Sequence, residues 1–194
     1  MLDNEFVRVF HVEVAPHAST LMHRHRHDYI YVALGDAHVE NDVEGKAPAD
    51  VKLGDGDTRF VPGNFAHIAR NLSDRPFRNV TIELTQDESL RNEPPRWQEE
   101  ADETFLGGRK RVLFVKDGVR VCEIDLDPGL VAPPHYDGPK LLVAVTDLDV
   151  RSIDGTGSMA GKLKSGDIKW VPAGDTQTLK SVGKSRASFV TVEF

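Results

Sequence analysis

Apolar and polar residues alternate in short runs along the chain. FVRVFHVEV (6–14), DYIYVAL (28–34), AHVENDV (37–43), TRFVP (58–62) and NVTIEL (79–84) all follow a period close to two. That period sends successive side chains to opposite faces of a strand. Gly, Pro, Asp and Asn separate the runs, and helical periodicity is almost absent. Short strands at regular spacing predict an all-β sandwich or barrel rather than βαβ units.

The pattern then repeats. FVRVFHVEV is echoed by GVRVCEIDL (118–126), GDTRFVPGN by GDIKWVPAG, and NVTIEL by FVTVEF (189–194). The offset shrinks from 112 residues early in the copy to 110 late in it. A long self-similar period marks a duplicated unit. The expected organisation is a β module over 1–85, an acidic connector over 86–108 and a second β module over 109–194. The connector carries Pro94 and Pro95, and WQEEADETF within it suggests a short helix. Arg109, Lys110 and Arg111 read as a solvated strand start.

Composition narrows the function classes. The 194 residues carry a formal charge of −7, which argues against a nucleic-acid backbone as partner. No apolar run approaches the roughly 18 residues of a membrane-spanning helix. The single cysteine, Cys122, excludes an intrachain disulfide and a cysteine zinc cluster. The N-terminal segment is strand-like and charged, unlike a signal peptide. A cytoplasmic location follows if Met1 is the native start, and a periplasmic or secreted one if a leader was trimmed.

The histidines change the picture. Seven of the eight lie in the first 67 residues, and only His135 lies beyond. On a strand, His23, His25, His27, Tyr29 and Tyr31 share one face and Arg24 and Arg26 the other. Arginines belong in solvent, so the histidine face points inward. Imidazoles there are costly unless paired, and a divalent metal is a natural partner. His67, after the VPGNFA turn, supplies a distant third nitrogen. Three histidines leave coordination positions open, which suits catalysis more than structural closure. The alternative is a set of hydrogen-bonded histidines near a strand edge, and His11, His17 and His38 read that way singly.

These residues resemble the cupin superfamily, specifically a bicupin. The first family motif runs Gly, five residues, His-x-His, three or four residues, Glu, six residues, Gly. Here His17 stands at the first Gly, His23-Arg24-His25 follow after five residues, Tyr29 takes the Glu position, and Gly35 closes one residue early. The second motif reads Gly56, five residues, Pro62-Gly63-Asn64, two residues, His67, three residues, Asn71, with Asn64 in place of the second Gly. The resemblance implies two tandem double-stranded β-helix (jelly-roll) barrels. It also implies a divalent transition metal (Fe, Mn, Ni, Zn or Cu) on His23, His25 and His67. Asp28 is the nearest carboxylate for a fourth ligand, but it has the wrong parity without a bulge. In the second copy His135, Asp137 and Gln177 replace the three histidines, so that module keeps a barrel without a full ligand set.

A three-histidine ion keeps its full double positive charge and favours anionic or chelating oxygen ligands. Three functions fit such a site: a dioxygenase acting on a small oxygenated substrate, a metal-dependent isomerase or lyase, and a non-catalytic small-ligand binder. Tyr29, Tyr31 and His27 are the pocket candidates for donating or carrying protons, with rim packing as their other role. The expected partners are a small molecule and, through exposed sheet edges, a second copy of the chain. No nucleic acid or membrane partner is expected.

Overall fold

The computed structural model describes residues 1–86, 102–116, 118–132, 138–154, 157–174 and 178–194. The chain divides into two compact units, Met1–Gln86 and Asp87–Phe194. All the strand pairs described are antiparallel.

The first unit holds β1 (Leu2–Asp3), β2 (Val7–Val14), β3 (His23–His25), β4 (Tyr29–Ala33), β5 (Ala37–Val43), β6 (Ala49–Leu53), β7 (Thr58–Val61), β8 (Phe65–Asn71) and β9 (Phe77–Leu84). They form a five-stranded sheet, β1-β2-β9-β4-β7, and a four-stranded sheet, β3-β8-β5-β6. Val14, Ala33 and Phe77 of the first sheet pack with Val39 and Leu53 of the second, so the two sheets face each other as in a jelly roll. All five predicted runs are strands here. β6 and β8 lie outside those runs; β8 (FAHIARN) breaks the alternation, whereas β6 (ADVKL) alternates over only five residues.

Two residues stand in backbone conformations that favour glycine. His17 has φ 56° and Asn64 has φ 65°. Both occupy motif positions where glycine was expected, and in the second unit Gly129 (φ 81°) and Gly174 (φ 78°) hold the matching places. Histidine and asparagine are among the residues that enter this region more readily than most. Asn71 anchors the nearby loop. It is fully buried, its amide donates to the carbonyls of Val14, Ala15 and Arg75, and its oxygen accepts from Ser73 N.

The second unit holds β10 (Glu103–Phe105), β11 (Gly108–Lys116), β12 (Val119–Leu126), β13 (Lys140–Ala144), β14 (Leu148–Asp154), β15 (Gly157–Leu163), β16 (Ile168–Val171), β17 (Thr178–Ser181) and β18 (Ala187–Glu193). Its six-stranded sheet runs β10-β11-β12-β18-β13-β16 and its three-stranded sheet β15-β14-β17. The order β12-β18-β13-β16 reproduces β2-β9-β4-β7, so the repeat read in the sequence is a repeat of topology. A core of Ile124, Leu126, Leu142, Leu148 and Phe189 fills the unit.

The helix expected around WQEEADETF is corrected over its described part. Glu103–Phe105 is a strand that turns at Gly107 (φ 74°) to pair with β11. A hairpin partner offers Thr104 and Phe105 cross-strand pairing that an isolated short helix lacks. Residues 87–101, the bulk of the connector, lie outside the described residues. The basic cluster at the start of β11 meets acidic neighbours: Arg109 pairs with Asp125 (2.7 Å) and Arg111 with Glu123 (2.6 Å).

Candidate metal centre

β3 and β8 pair with His23 directly opposite His67 and His25 opposite Phe65. Parity along β3 puts His23 and His25 on one face, and the pairing brings His67 to the same face. One ring nitrogen from each of the three lies within 4.8 Å of the others. The Nε2 atoms of His23 and His67 are 3.0 Å apart.

Hydrogen bonds to the far side of two rings assign their tautomers. Nδ1 of His23 lies 2.9 Å from the carbonyl of Leu21, which only accepts, so Nδ1 carries the proton. Nδ1 of His67 faces the side-chain oxygen of Asn41 on β5 in the same way. Each bond leaves the Nε2 lone pair for an ion, the arrangement by which second-layer partners orient metal ligands. Two lone pairs facing at this distance repel unless something lies between them. Two imidazole nitrogens each about 2.1 Å from one ion at a right angle stand about 3 Å apart, so the donor set fits a divalent metal. Neutral imidazole is the ligating form, and the surroundings favour it at His67 and His25. Burial, then the neighbouring His23 and His25, pushes the His67 pKa down to about 4. Burial and His23 lower that of His25 against the opposing pull of Glu83.

The structure separates the other sequence candidates. Tyr29 stacks on His25, ring centroids 4.2 Å apart at 26°, and Tyr31 follows on the same face of β4 at 6.5 Å from Tyr29. Both line a cavity of about 710 Å³ next to the imidazoles. Burial raises both phenol pKa values, so both hydroxyls keep their protons at neutral pH. His27 is placed differently from the parity reading. The chain leaves one sheet after His25 and enters the other at Tyr29, which breaks the alternation, and His27 is exposed and away from the cavity lining. Asp28 is spent on that crossing. Its carboxylate accepts from Gly63 N at 2.7 Å and its carbonyl from Leu84 N at 2.8 Å. It does not join the imidazole cluster. His135, Asp137 and Gln177 lie outside the described residues.

One residue of the cavity beside the imidazoles escaped the sequence reading. Glu83 on β9 is in register with Tyr29, lines the cavity, and places Oε1 3.4 Å from His25 Nδ1. The signal for it was present. Asn79, Thr81 and Glu83 are alternate polar residues in a run whose other positions are Val80, Ile82 and Leu84.

Comparison with known proteins decides the family of this unit. A cupin domain model matches residues 10–83. This chain carries a cupin domain. The match spans the motifs with His23, His25 and His67, and the cupin jelly roll is the architecture seen in the facing sheets. Among solved structures, the chain is similar to oxalate decarboxylase. It resembles the Bacillus subtilis enzyme described for its Mn(II) centres, with a TM-score of 0.68, 12% identity, and 97% of this chain and 69% of that one covered. The structure of the same enzyme at pH 4.6 gives a TM-score of 0.69 at 12% identity, covering 97% of this chain and 68% of that one. No curated protein sequence matches this cupin.

The cavity lining is mixed: Val12, Val39, Val51, Leu53 and Phe77 are apolar, and Tyr31, Thr81, Asn41 and Arg59 are polar. Arg59 lies in register with Tyr31, so both project from the same face. Its guanidinium reaches the Lys52 carbonyl at 3.4 Å and Asp57 at 4.0 Å, both long contacts.

Proposed function

We propose that the cupin domain is a divalent-metal centre acting on a small oxygenated or anionic molecule. The observation that carries this is the convergence of three imidazoles on the edge of a cavity of ligand size. The ion would be held by His23, His25 and His67, and when bound it supplies Lewis acidity, or redox chemistry if it is Fe or Mn. The chain's own residues do the rest. Arg59 attracts an anionic group into the cavity. The Tyr31 hydroxyl, which holds its proton, donates to a ligand oxygen, and the Tyr29 hydroxyl stands ready beside His25. The apolar lining residues exclude water and contact the hydrocarbon part of a ligand.

The first reading of the reaction is a dioxygenase, with His23, His25 and His67 leaving positions open beside the cavity. A second reading, a lyase or isomerase acting on a carboxylate, is favoured by the likeness to oxalate decarboxylase and its Mn(II) centres. We also propose that the second unit is a cupin barrel without a metal. In its sheet Lys140 and Leu142 stand where the first unit has Tyr29 and Tyr31. Self-association through open sheet edges belongs to the same proposal.

Elemental analysis of the purified protein for Fe, Mn, Ni, Zn and Cu tests the centre, repeated on His23→Ala and His67→Ala. Metal in the parent and its loss in both variants is expected, and equal, negligible metal in all three would overturn the proposal. Oxygen uptake with a 1,3-diketone or a thiol acid supports the dioxygenase. Carbon dioxide release from oxalate without net oxygen uptake supports the lyase. Bound metal with no turnover of either leaves a binding domain.

A further inference from the structure

The internal repeat gives Glu83 a counterpart. Glu83 on β9 corresponds to Glu193 on β18, and they lie in register with Tyr29 and Lys140 respectively. On the other flank, Arg8 is in register with Glu83 and Arg120 with Glu193. The backbone pairing is the same in both units, but the ion pairing is not. In the second unit Arg120 Nε donates to Glu193 Oε2 at 2.5 Å, with both side chains buried. In the first, Arg8 Nε donates instead to Asp3 Oδ2 at 2.9 Å on the surface. Glu83 therefore lacks the arginine that its counterpart has. Its carboxylate faces His25 Nδ1, and both side chains are only 12% exposed.

The imidazoles supply the second observation. Nδ1 of His23 and of His67 each has an acceptor, Leu21 and Asn41. Nδ1 of His25 is buried and makes no hydrogen bond, with the Glu83 carboxylate 3.4 Å away. Tyr29 stacked on the ring fixes its plane but not which of the two orientations related by a half-turn about Cβ–Cγ it takes.

We infer that Glu83 is the positioning carboxylate of the metal centre. A small closure of the 3.4 Å contact would let it accept a hydrogen bond from His25 Nδ1–H, turn Nε2 toward the ion, and bring the negative charge that three histidine ligands lack. This role rests on the metal-centre reading above. It explains how a cupin site with tyrosine at the usual glutamate position still has a carboxylate. The charge comes from the neighbouring strand, across the β4–β9 pairing, and acts through a histidine rather than as a direct ligand.

The test is Co(II) affinity of the full chain, measured by competition with a chromophoric chelator, together with the visible spectrum of the Co(II) form. Glu83→Gln keeps an acceptor and removes the charge, Glu83→Ala removes both, and Glu83→Asp keeps the charge on a shorter arm. Loss of a second-layer partner weakens metal binding about 10–100-fold. That range is expected for Glu83→Ala with a shifted spectrum, a smaller loss for Glu83→Gln, and partial recovery for Glu83→Asp. Glu193→Gln serves as the control for a purely structural glutamate and is expected to leave Co(II) affinity unchanged. Parent-like affinity and spectrum in both Glu83→Ala and Glu83→Gln would overturn the inference, as would an equal loss in Glu193→Gln. If the parent binds no Co(II), or His67→Gln binds it as tightly as the parent, the metal-centre reading itself fails.

Discussion

Replacing Arg120 with methionine isolates the energetics of the ion pair that the two units handle differently. Arg120 and Glu193 are 4% and 2% exposed at the side chain and 2.5 Å apart. At an effective dielectric of about 20, two unit charges about 4 Å apart attract by about 4 kcal/mol. Both charges have also given up hydration, so the pair as a whole contributes little, while one charge left alone is costly. Removing one partner of a buried pair costs about 3–5 kcal/mol. Lys140 lies in register across from Glu193 and offers the stranded carboxylate a second cation, which places the expected cost near the lower end, about 3 kcal/mol. The double variant Arg120→Met/Glu193→Gln removes both charges and leaves Thr191, which donates to Glu193 Oε1 at 3.3 Å, an amide oxygen to bond. It is expected within about 1 kcal/mol of the parent, or above it. Urea unfolding followed by Trp fluorescence and circular dichroism gives the three values. The reasoning is refuted if the single variant loses less than about 1 kcal/mol, or if the double variant is no better than the single. Should Arg120→Met fail to fold, recovery of a folded protein by the double variant decides the matter.

Two further predictions concern the metal centre. In metal-free protein, His67 stays neutral down to about pH 4 while the unfolded chain protonates its histidines near 6.5. The unfolded state therefore binds more protons between those values, and stability falls as pH drops through that window, by up to about 1.4 kcal/mol per pH unit from this group. Thermal unfolding from pH 7 to pH 4 is expected to show a shallower fall in His67→Gln, and parallel curves would refute the assignment. Gly63→Ala places a methyl 2.5 Å from the backbone carbonyl of His27 and 2.9 Å from Asp28 N. That forces apart the crossing between β3 and β4, so a loss of about 1–3 kcal/mol and weaker Co(II) binding are expected. Parent-like values of both would show that the crossing is compliant.

How far the sequence carried depended on which contacts were local. The strand runs were legible because their alternation is strict. His23, His25 and His67 were legible because period two aligns the first pair and the Pro62–His67 spacing delivers the third. His27 was misplaced because the crossing to the second sheet resets the alternation, and that crossing is held by Asp28 bonding to Gly63, 35 residues away. The same bond removes Asp28 from the site. Glu83 was hidden because its significance lies in what it faces across two strand pairings and in what its counterpart Glu193 does instead. No local pattern encodes the choice of Arg8 to bond Asp3 rather than Glu83.

The position of the last strand in each unit has a consequence for synthesis. β9 lies between β2 and β4, and β18 between β12 and β13, so the central strand of each larger sheet is the last of its unit to leave the ribosome. Until it arrives, the strands on either side of it have an open gap between them and exposed pairing edges. At about 5–20 residues per second the first unit can close its sheet while the second is still being translated. Each vectorial stage therefore ends in a single insertion event with long-range contacts, the kind that folds slowly and is vulnerable to aggregation until complete. A nascent chain halted before residue 77 would already hold all three histidines without the strand that carries Glu83.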